Sequence, residues 1–232
     1  MTAAEDRQRA RGGRPSRAAA ERLGEKILEI ATDFFLRDGY GSTSIEAIAQ
    51  AAGMSKRTFY HRYDGKPALF AAVVARIVDE IRPPPDVPLL VGTTSAAILE
   101  RLGGLMLQAA LAPRALALNR LIVAESARFP ELVAAVSTQH GRAEAVALIA
   151  QVLRTRKDGP ALSPDTAEFA AGQFIQMIVS WPQRLALGLG TPMTPAEQAH
   201  WVRRTTRLFL GGCDGWPEPT ADEPATSGTT SP

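Results

Sequence analysis

The chain is poor in the residues on which catalysis, cross-linking and membrane insertion depend. Cys213 is the single cysteine among 232 residues, so no intramolecular disulfide can form, and that scarcity fits a reducing cytoplasm. Asp214 beside it disfavours a thiolate and no Lys or His adjoins it, so an ordinary thiol is expected rather than a redox sensor. The three histidines, His61, His140 and His200, are far apart in sequence, and no G-x-S-x-G, H-E-x-x-H or phosphate-binding loop occurs. An enzyme is therefore not expected, nor a metal or a cofactor. No run of about eighteen apolar residues exists, so no membrane span is expected, and the Arg-rich start lacks the apolar core of a signal peptide. These absences describe a soluble, cytoplasmic protein without a membrane partner.

What is present is an apolar content of 45%, enough for a buried core, and an uneven charge. Residues 1–66 carry twelve Lys or Arg against nine Asp or Glu, whereas 67–232 carry fourteen against fifteen. The small basic excess lies at the amino-terminal end, as a protein that neutralises phosphates there requires. Residues 1–17 hold five arginines, among them Arg11 and Arg14, together with Gly12, Gly13 and Pro15. Such a segment cannot bury apolar area and is expected to be disordered by itself. Two readings stay open, a solvated tail or an arm that follows the DNA minor groove, and the R-G-G-R-P run resembles the core of an AT-hook with one extra glycine.

The organising stretch is Thr43 to Lys66, T-S-I-E-A-I-A-Q-A-A-G-M-S-K-R-T-F-Y-H-R-Y-D-G-K. Thr43 with Glu46 three residues on has the spacing of a capping box, which predicts a helix start there. Ile45, Ile48, Ala49 and Ala52 then give one buried face, Gly53 ends the helix, and Ser55 caps another two residues later. Two helices about a glycine corner make a helix-turn-helix, whose second helix enters the major groove. Lys56, Arg57 and Thr58 occupy its leading turn and suit base edges, while His61 and Arg62 one turn on suit bases or backbone. Tyr60 offers a hydroxyl to a phosphate, Lys66 opens the next helix at another phosphate site, and Phe59 packs inward. Thr43, Ser44 and Ser55, at the two helix starts, complete the candidate DNA contacts.

Gly39-Tyr40, Thr43-Ser44, Ile48-Ala49, Ala52-Gly53 and the run Ser55 to Lys66 with Leu69-Phe70 resemble the amino-terminal domain of TetR-type transcriptional regulators, over residues 22–74. Gly65 stands where Ser is common in that family and Pro67 where an acid is common; both are tolerated at a helix start. The segment Asn119 to Leu132, N-R-L-I-V-A-E-S-A-R-F-P-E-L, resembles carboxy-terminal domains of the AefR-like subgroup.

The expected fold is all-α: a three-helix DNA-binding bundle with a helix-turn-helix, then a larger helical ligand-binding and dimerisation domain, about nine helices in total. Helix 1 is predicted over Ala18 to Asp38 with Leu23, Ile27, Ile30, Phe34 and Phe35 inside, and the bundle closes around Phe34, Ile48, Phe59 and Phe70. Helix 4 is predicted from Lys66 or Pro67 to about Ile81, stopping before Pro83-Pro84-Pro85. Further helices are predicted near 93–111, 113–127, 130–156, 164–188 and 195–210, with Gly141 and Pro182 as points of bending. The domains are then 1–17 (disordered arm), 18–66 (DNA-binding), 67–211 (effector-binding and dimerisation) and 212–232 (a Pro-, Ser- and Thr-rich disordered tail).

Phe174, Ile178 and Trp181, and Trp201, Val202, Leu208 and Phe209, form two apolar stripes on the last two helices. By composition they are either core or interface. The resemblance implies interface, because these regulators pair through a four-helix bundle of their final helices. It also implies a pocket for a small-molecule effector, for which Met106, Gln108, Asn119, His140, Gln173, Phe174 and Met177 are candidates. A lining of Leu, Val, Ile and Met would favour an apolar or aromatic effector. The partners implied are double-stranded DNA, a second copy of the chain as a homodimer, and that effector; a DNA-binding protein whose carboxy-terminal part only dimerises is the alternative.

Overall fold

The computed structural model describes residues 17–84, 86–137 and 141–214. Among them every regular element is helical: α1 (Arg17–Asp38), α2 (Ile45–Ala52), α3 (Lys56–Tyr60), α4 (Lys66–Ile81), α5 (Ser95–Ala110), α6 (Pro113–Glu125), α7 (Glu131–Ser137), α8 (Gly141–Thr155), α9 (Pro164–Arg184) and α10 (Pro195–Asp214). A five-residue π-helical turn, Leu185–Leu189, follows α9. The chain divides into two compact units, Met1–Val73 and Val74–Pro232, the division falling within α4. Arg11 and Arg14, with the rest of residues 1–16, lie outside the described residues, as do His140, Gln139 and everything after Asp214.

In the first unit α1 buries Ile27, Ala31 and Phe35, spaced four apart so that they share one face. Phe35 stacks on Tyr40 at 5.6 Å, and both meet the edge of Phe70 at 5.3 Å. The cluster is thus built on Phe35 and not on Phe34, which is half-buried beneath the Arg37 guanidinium. Ile48, Ala49 and Ala52 of α2, Phe59 of α3 and Leu69, Phe70 and Val73 of α4 complete the core. The Lys26 ammonium donates to the Ala52 carbonyl at the end of α2 (3.2 Å), where a helix terminus favours a cation.

In the second unit α5, α8, α9 and α10 enclose Leu99, Leu107, Leu153, Phe174 and Ile178. At Gly103 the neighbouring helices approach α5 closely: a Cβ there would stand 3.2 Å from Ile178 Cδ1 and 3.3 Å from Val202 Cγ1. Asp158, in the loop before α9, accepts the Ser95 N–H at 2.7 Å and the Ser95 hydroxyl, fastening that loop to the start of α5.

Of the predicted helix 130–156, α7 and α8 are described, and residues 138–140 between them lie outside the described residues. Helix α10 continues to Asp214, three residues into the expected tail. Pro182 lies inside α9. Proline has no N–H for the Ile178 carbonyl four residues earlier, and the Trp201 indole N–H from α10 donates to that carbonyl at 3.0 Å. A side chain of the neighbouring helix takes the place of the missing backbone donor.

Candidate nucleic-acid interface and ligand cavity

The turn between α2 and α3 is closed by backbone geometry. Gly53 adopts φ 72° and ψ 35°, its N–H returns to Gln50, and the Met54 N–H returns to Ala49, the paired bonds of a Schellman end. Ser55 starts α3, accepting the Thr58 N–H at 3.1 Å and sharing a 2.9 Å hydrogen bond with the Thr58 hydroxyl. At the start of α2 the cap is Ser44, whose Oγ accepts the Ala47 N–H at 3.1 Å. Thr43 is not that cap: it is 4% exposed and its hydroxyl donates to the Gly39 carbonyl at 2.7 Å. The capping-box reading of Thr43 and its placement among the DNA contacts are therefore corrected, because the hydroxyl is spent inside the subunit.

Ser44, Ser55, Lys56, Arg57, Thr58, Tyr60, His61 and Arg62 are all exposed, while Phe59 between them is fully buried. One short helix thus anchors on a phenyl ring and turns a row of cations and hydroxyls outward. Two of the cations are already engaged. Lys56 forms an ion pair with Glu46 of α2, which holds the Glu46 carboxyl below its ordinary range, first through the hydrogen bond to the ammonium. Arg62 lies across α1 at Gly24, where a Cβ would stand 3.0 Å from its Nη1.

Lys66 is half-buried, its ammonium 4.4 Å above the Tyr40 ring and 3.3 Å from the Gly41 carbonyl, so it also braces the loop after α1. Gly65 has φ 136°, a conformation that side chains rarely adopt, so glycine rather than serine suits this start of α4.

The second unit contains a cavity of about 430 Å³, lined by Val78 and Ile81 of α4, by Pro83, Pro84, Val87 and Leu89, and by residues of α5 and α8 including Met106, Leu102, Leu148 and Ile149. Its charged lining residues, Arg82 and Glu144, pair with each other at 3.2 Å. Beside it, Glu80 accepts from Arg114 Nη1 at 2.8 and 2.9 Å and from Arg76 Nε at 2.9 Å. Burial raises the Glu80 pKa, but the two guanidiniums outweigh it and the net shift is downward.

Of the candidate pocket residues Met106 alone, among those described, lines this cavity. Gln108 and Gln173 are exposed, Asn119 is half-buried on α6 outside the lining, and Phe174 is fully buried in the core. Amide side chains on amphipathic helices turned to water, which their polarity favours. Sequence reasoning missed Arg82, Glu144, Pro83, Pro84, Val87 and Leu89; the signal was a proline run followed by isolated apolar residues.

The apolar stripes divide as well. Phe174, Ile178, Val202 and Phe209 are core, the two phenyl rings 4.9 Å apart, and are corrected as interface residues. Trp181 and Leu208 remain on the surface, 48% and 70% exposed. They line, with Met177 and the partly buried Trp201, a recess of about 870 Å³ between α9 and α10. Among the described residues no helix is long and apolar enough to cross a membrane.

Comparison with known proteins agrees with this division. Residues 27–73 match the family model of bacterial regulatory proteins of the tetR family, and residues 97–212 match that of the AefR-like transcriptional repressor C-terminal domain. The HTH-type transcriptional regulator RutR of Escherichia coli (strain K12) is 37% identical over 67 residues, 29% of this chain and 31% of RutR. The chain thus spans about a third of that relative's length. The HTH-type transcriptional regulator UidR of the same organism is 27% identical over 144 residues, covering 60% of this chain and 69% of UidR. Among solved structures, the flavonoid-responsive regulator FrrA superposes with a TM-score of 0.66 at 26% identity, covering 83% of this chain and 97% of FrrA. A TetR family transcriptional regulator from Pseudomonas syringae pv. tomato str. DC3000 gives 0.56 at 26%, covering 81% and 95%.

Proposed function

The chain belongs to the TetR family of bacterial transcriptional regulators, with an AefR-like carboxy-terminal domain, and from that premise we propose that it is a ligand-responsive repressor which binds a palindromic operator as a homodimer. It is a DNA-binding regulator and not an enzyme. The observation that carries the reading is the row from Ser55 to Arg62: seven exposed polar side chains on a helix seated by a buried Phe59. Lys56, Arg57 and Thr58 meet base edges, Tyr60 and Ser44 meet phosphates, and His61 follows the groove one turn on. The protein works in the cytoplasm, where its DNA lies.

One recognition helix reads a few base pairs, so two copies double the site, their reading heads about 34 Å apart in successive major grooves. The exposed Trp181 and Leu208 beside the α9–α10 recess support pairing through those helices. The effector occupies the cavity of about 430 Å³, whose apolar lining and one internally neutralised ion pair favour an apolar or aromatic molecule. The likeness to a flavonoid-responsive regulator supports the same class. Filling the cavity displaces the last turn of α4, and α4 runs on in the chain from the DNA-reading unit. A ligand shifts this equilibrium only through its unequal affinity for the two conformers, so effector and operator must weaken one another reciprocally.

The deciding experiment maps chromosomal fragments bound by the protein, then titrates a recovered fragment against flavonoids and other aromatic compounds. A palindrome with half-sites one helical turn apart, and its release by a compound that also raises the melting temperature, is the expected result. Fragments without a shared sequence would refute the operator reading. A shared palindrome that no compound releases would favour a regulator whose carboxy-terminal domain only dimerises.

A further inference from the structure

The Lys56–Glu46 ion pair joins the first residue of α3 to the second residue of α2 across the Gly53 corner. Both side chains are more than half exposed, 59% and 55%. A pair so exposed adds little to stability, and the corner is already closed by Gly53 and by the Ser55 cap. Its position puts a carboxylate within the row of cations and hydroxyls assigned to DNA, where a negative charge opposes phosphate.

Resting on the reading of α3 as the DNA-recognition helix, we propose that Glu46 is a specificity-determining residue that acts with Lys56 as a single donor–acceptor head for a G·C pair. The ammonium has three N–H groups, and one engaged by Glu46 leaves two for guanine O6 and N7. The carboxylate is acceptor-only, so its remaining lone pairs suit the N4 amino group of the paired cytosine.

Charge cuts the same way. A free lysine at this position would take the nearest phosphate on any sequence. Paired with Glu46 it carries no net charge toward the backbone, and swinging it to a phosphate would leave a bare carboxylate against the DNA. Glu46 thus positions Lys56 toward the base edge and discourages its use in sequence-independent binding. Arg57, one residue on, is in no such pair with Glu46, whose Coulombic partner is Lys56.

The test uses the full-length protein, wild type and the variants Glu46→Gln and Glu46→Asp. Each selects from a duplex pool with a randomised core about two helical turns long, and each is titrated with salt on random-sequence duplex. Wild type is expected to recover half-sites with a fixed G·C pair. Glu46→Gln should lose preference at that one pair by about fivefold or more and keep the others. Its binding to random duplex should strengthen, with a salt dependence steeper by about one unit of slope, because Lys56 is released to a phosphate. Glu46→Asp, which keeps the charge, should retain the preference.

Identical preferences and salt slopes in wild type and Glu46→Gln would overturn the proposal while leaving DNA recognition intact. Loss of preference at every position, with a changed far-UV circular dichroism spectrum, would also overturn it, because Glu46 would then serve the fold. Failure of wild type to recover any shared sequence would remove the DNA-reading assignment as well.

Discussion

Replacing Trp201 by Phe tests the account of how α9 passes through Pro182. The Ile178 carbonyl lacks its helical donor because Pro182 has no N–H, and the Trp201 indole N–H supplies one at 3.0 Å. Ile178 is fully buried, so water is poorly placed to substitute. Trp201→Phe then leaves a buried acceptor unsatisfied, a cost of about 1–3 kcal/mol, to which the smaller ring adds a packing loss. That packing loss is the same whichever residue occupies position 182. Pro182→Ala restores a backbone N–H four residues after Ile178, and in that background Trp201→Phe should cost only the packing part. A four-variant cycle by urea denaturation, followed by far-UV circular dichroism, isolates the difference. The expected coupling between the two sites is about 1–2 kcal/mol. Additivity to within about 0.5 kcal/mol would refute the reasoning and show that the indole contact does not stand in for the missing bond.

Gly53→Ala should destabilise the protein, although Gly→Ala elsewhere gains about 0.4–1 kcal/mol by restricting the unfolded chain. A Cβ at Gly53 meets nothing within 4 Å, so the cost is the left-handed backbone alone, about 1–2 kcal/mol, and the net loss is about 0.5–1 kcal/mol; a raised melting temperature would contradict this. Asp158 is held below its ordinary range by the Ser95 hydroxyl, against burial, with the Ser95 N–H adding to it. A depressed carboxyl contributes stability above its unfolded pKa and loses it as pH falls through the folded one. Asp158→Asn should therefore be the less stable form at pH 7, its deficit closing between about pH 5 and pH 2, and a deficit independent of pH in urea midpoints would exclude the mechanism. Leu208→Glu, at a 70% exposed position, should leave the helical content intact while sedimentation shows a monomer and operator binding weakens; an unchanged dimer would move the pairing face elsewhere.

The sequence was most legible where structure is decided within a few residues. Gly53 and Ser55 closed the turn and started α3 as their chemistry requires, and α1 and α4 ended where Gly39 and the proline run stop a helix. Adjacent residues of like chemistry were harder to separate. Thr43 and Ser44 both offer a hydroxyl, and the three-residue spacing to Glu46 pointed to Thr43. A carbonyl of the preceding loop, invisible to spacing, claimed it instead. Phe34 and Phe35 were both expected inside, and the register of α1 against Tyr40 and Phe70 took Phe35 alone into the aromatic cluster.

Periodicity showed that α9 and α10 have apolar faces but not what covers them. Phe174, Ile178, Val202 and Phe209 found partners inside their own subunit, and only the flanking Trp181 and Leu208 stayed outside. The cavity was the least legible feature. An empty volume is what several helices fail to fill, and no single stretch of sequence encodes it.

The recess between α9 and α10 has a practical consequence, because two of the three tryptophans, Trp181 and Trp201, line it. With Trp216 changed to Phe, tryptophan emission from the chain would arise from that recess alone. Any body that settles on it would shift the emission to shorter wavelength and shield it from iodide, so occupancy could be followed at nanomolar dilution without a dye.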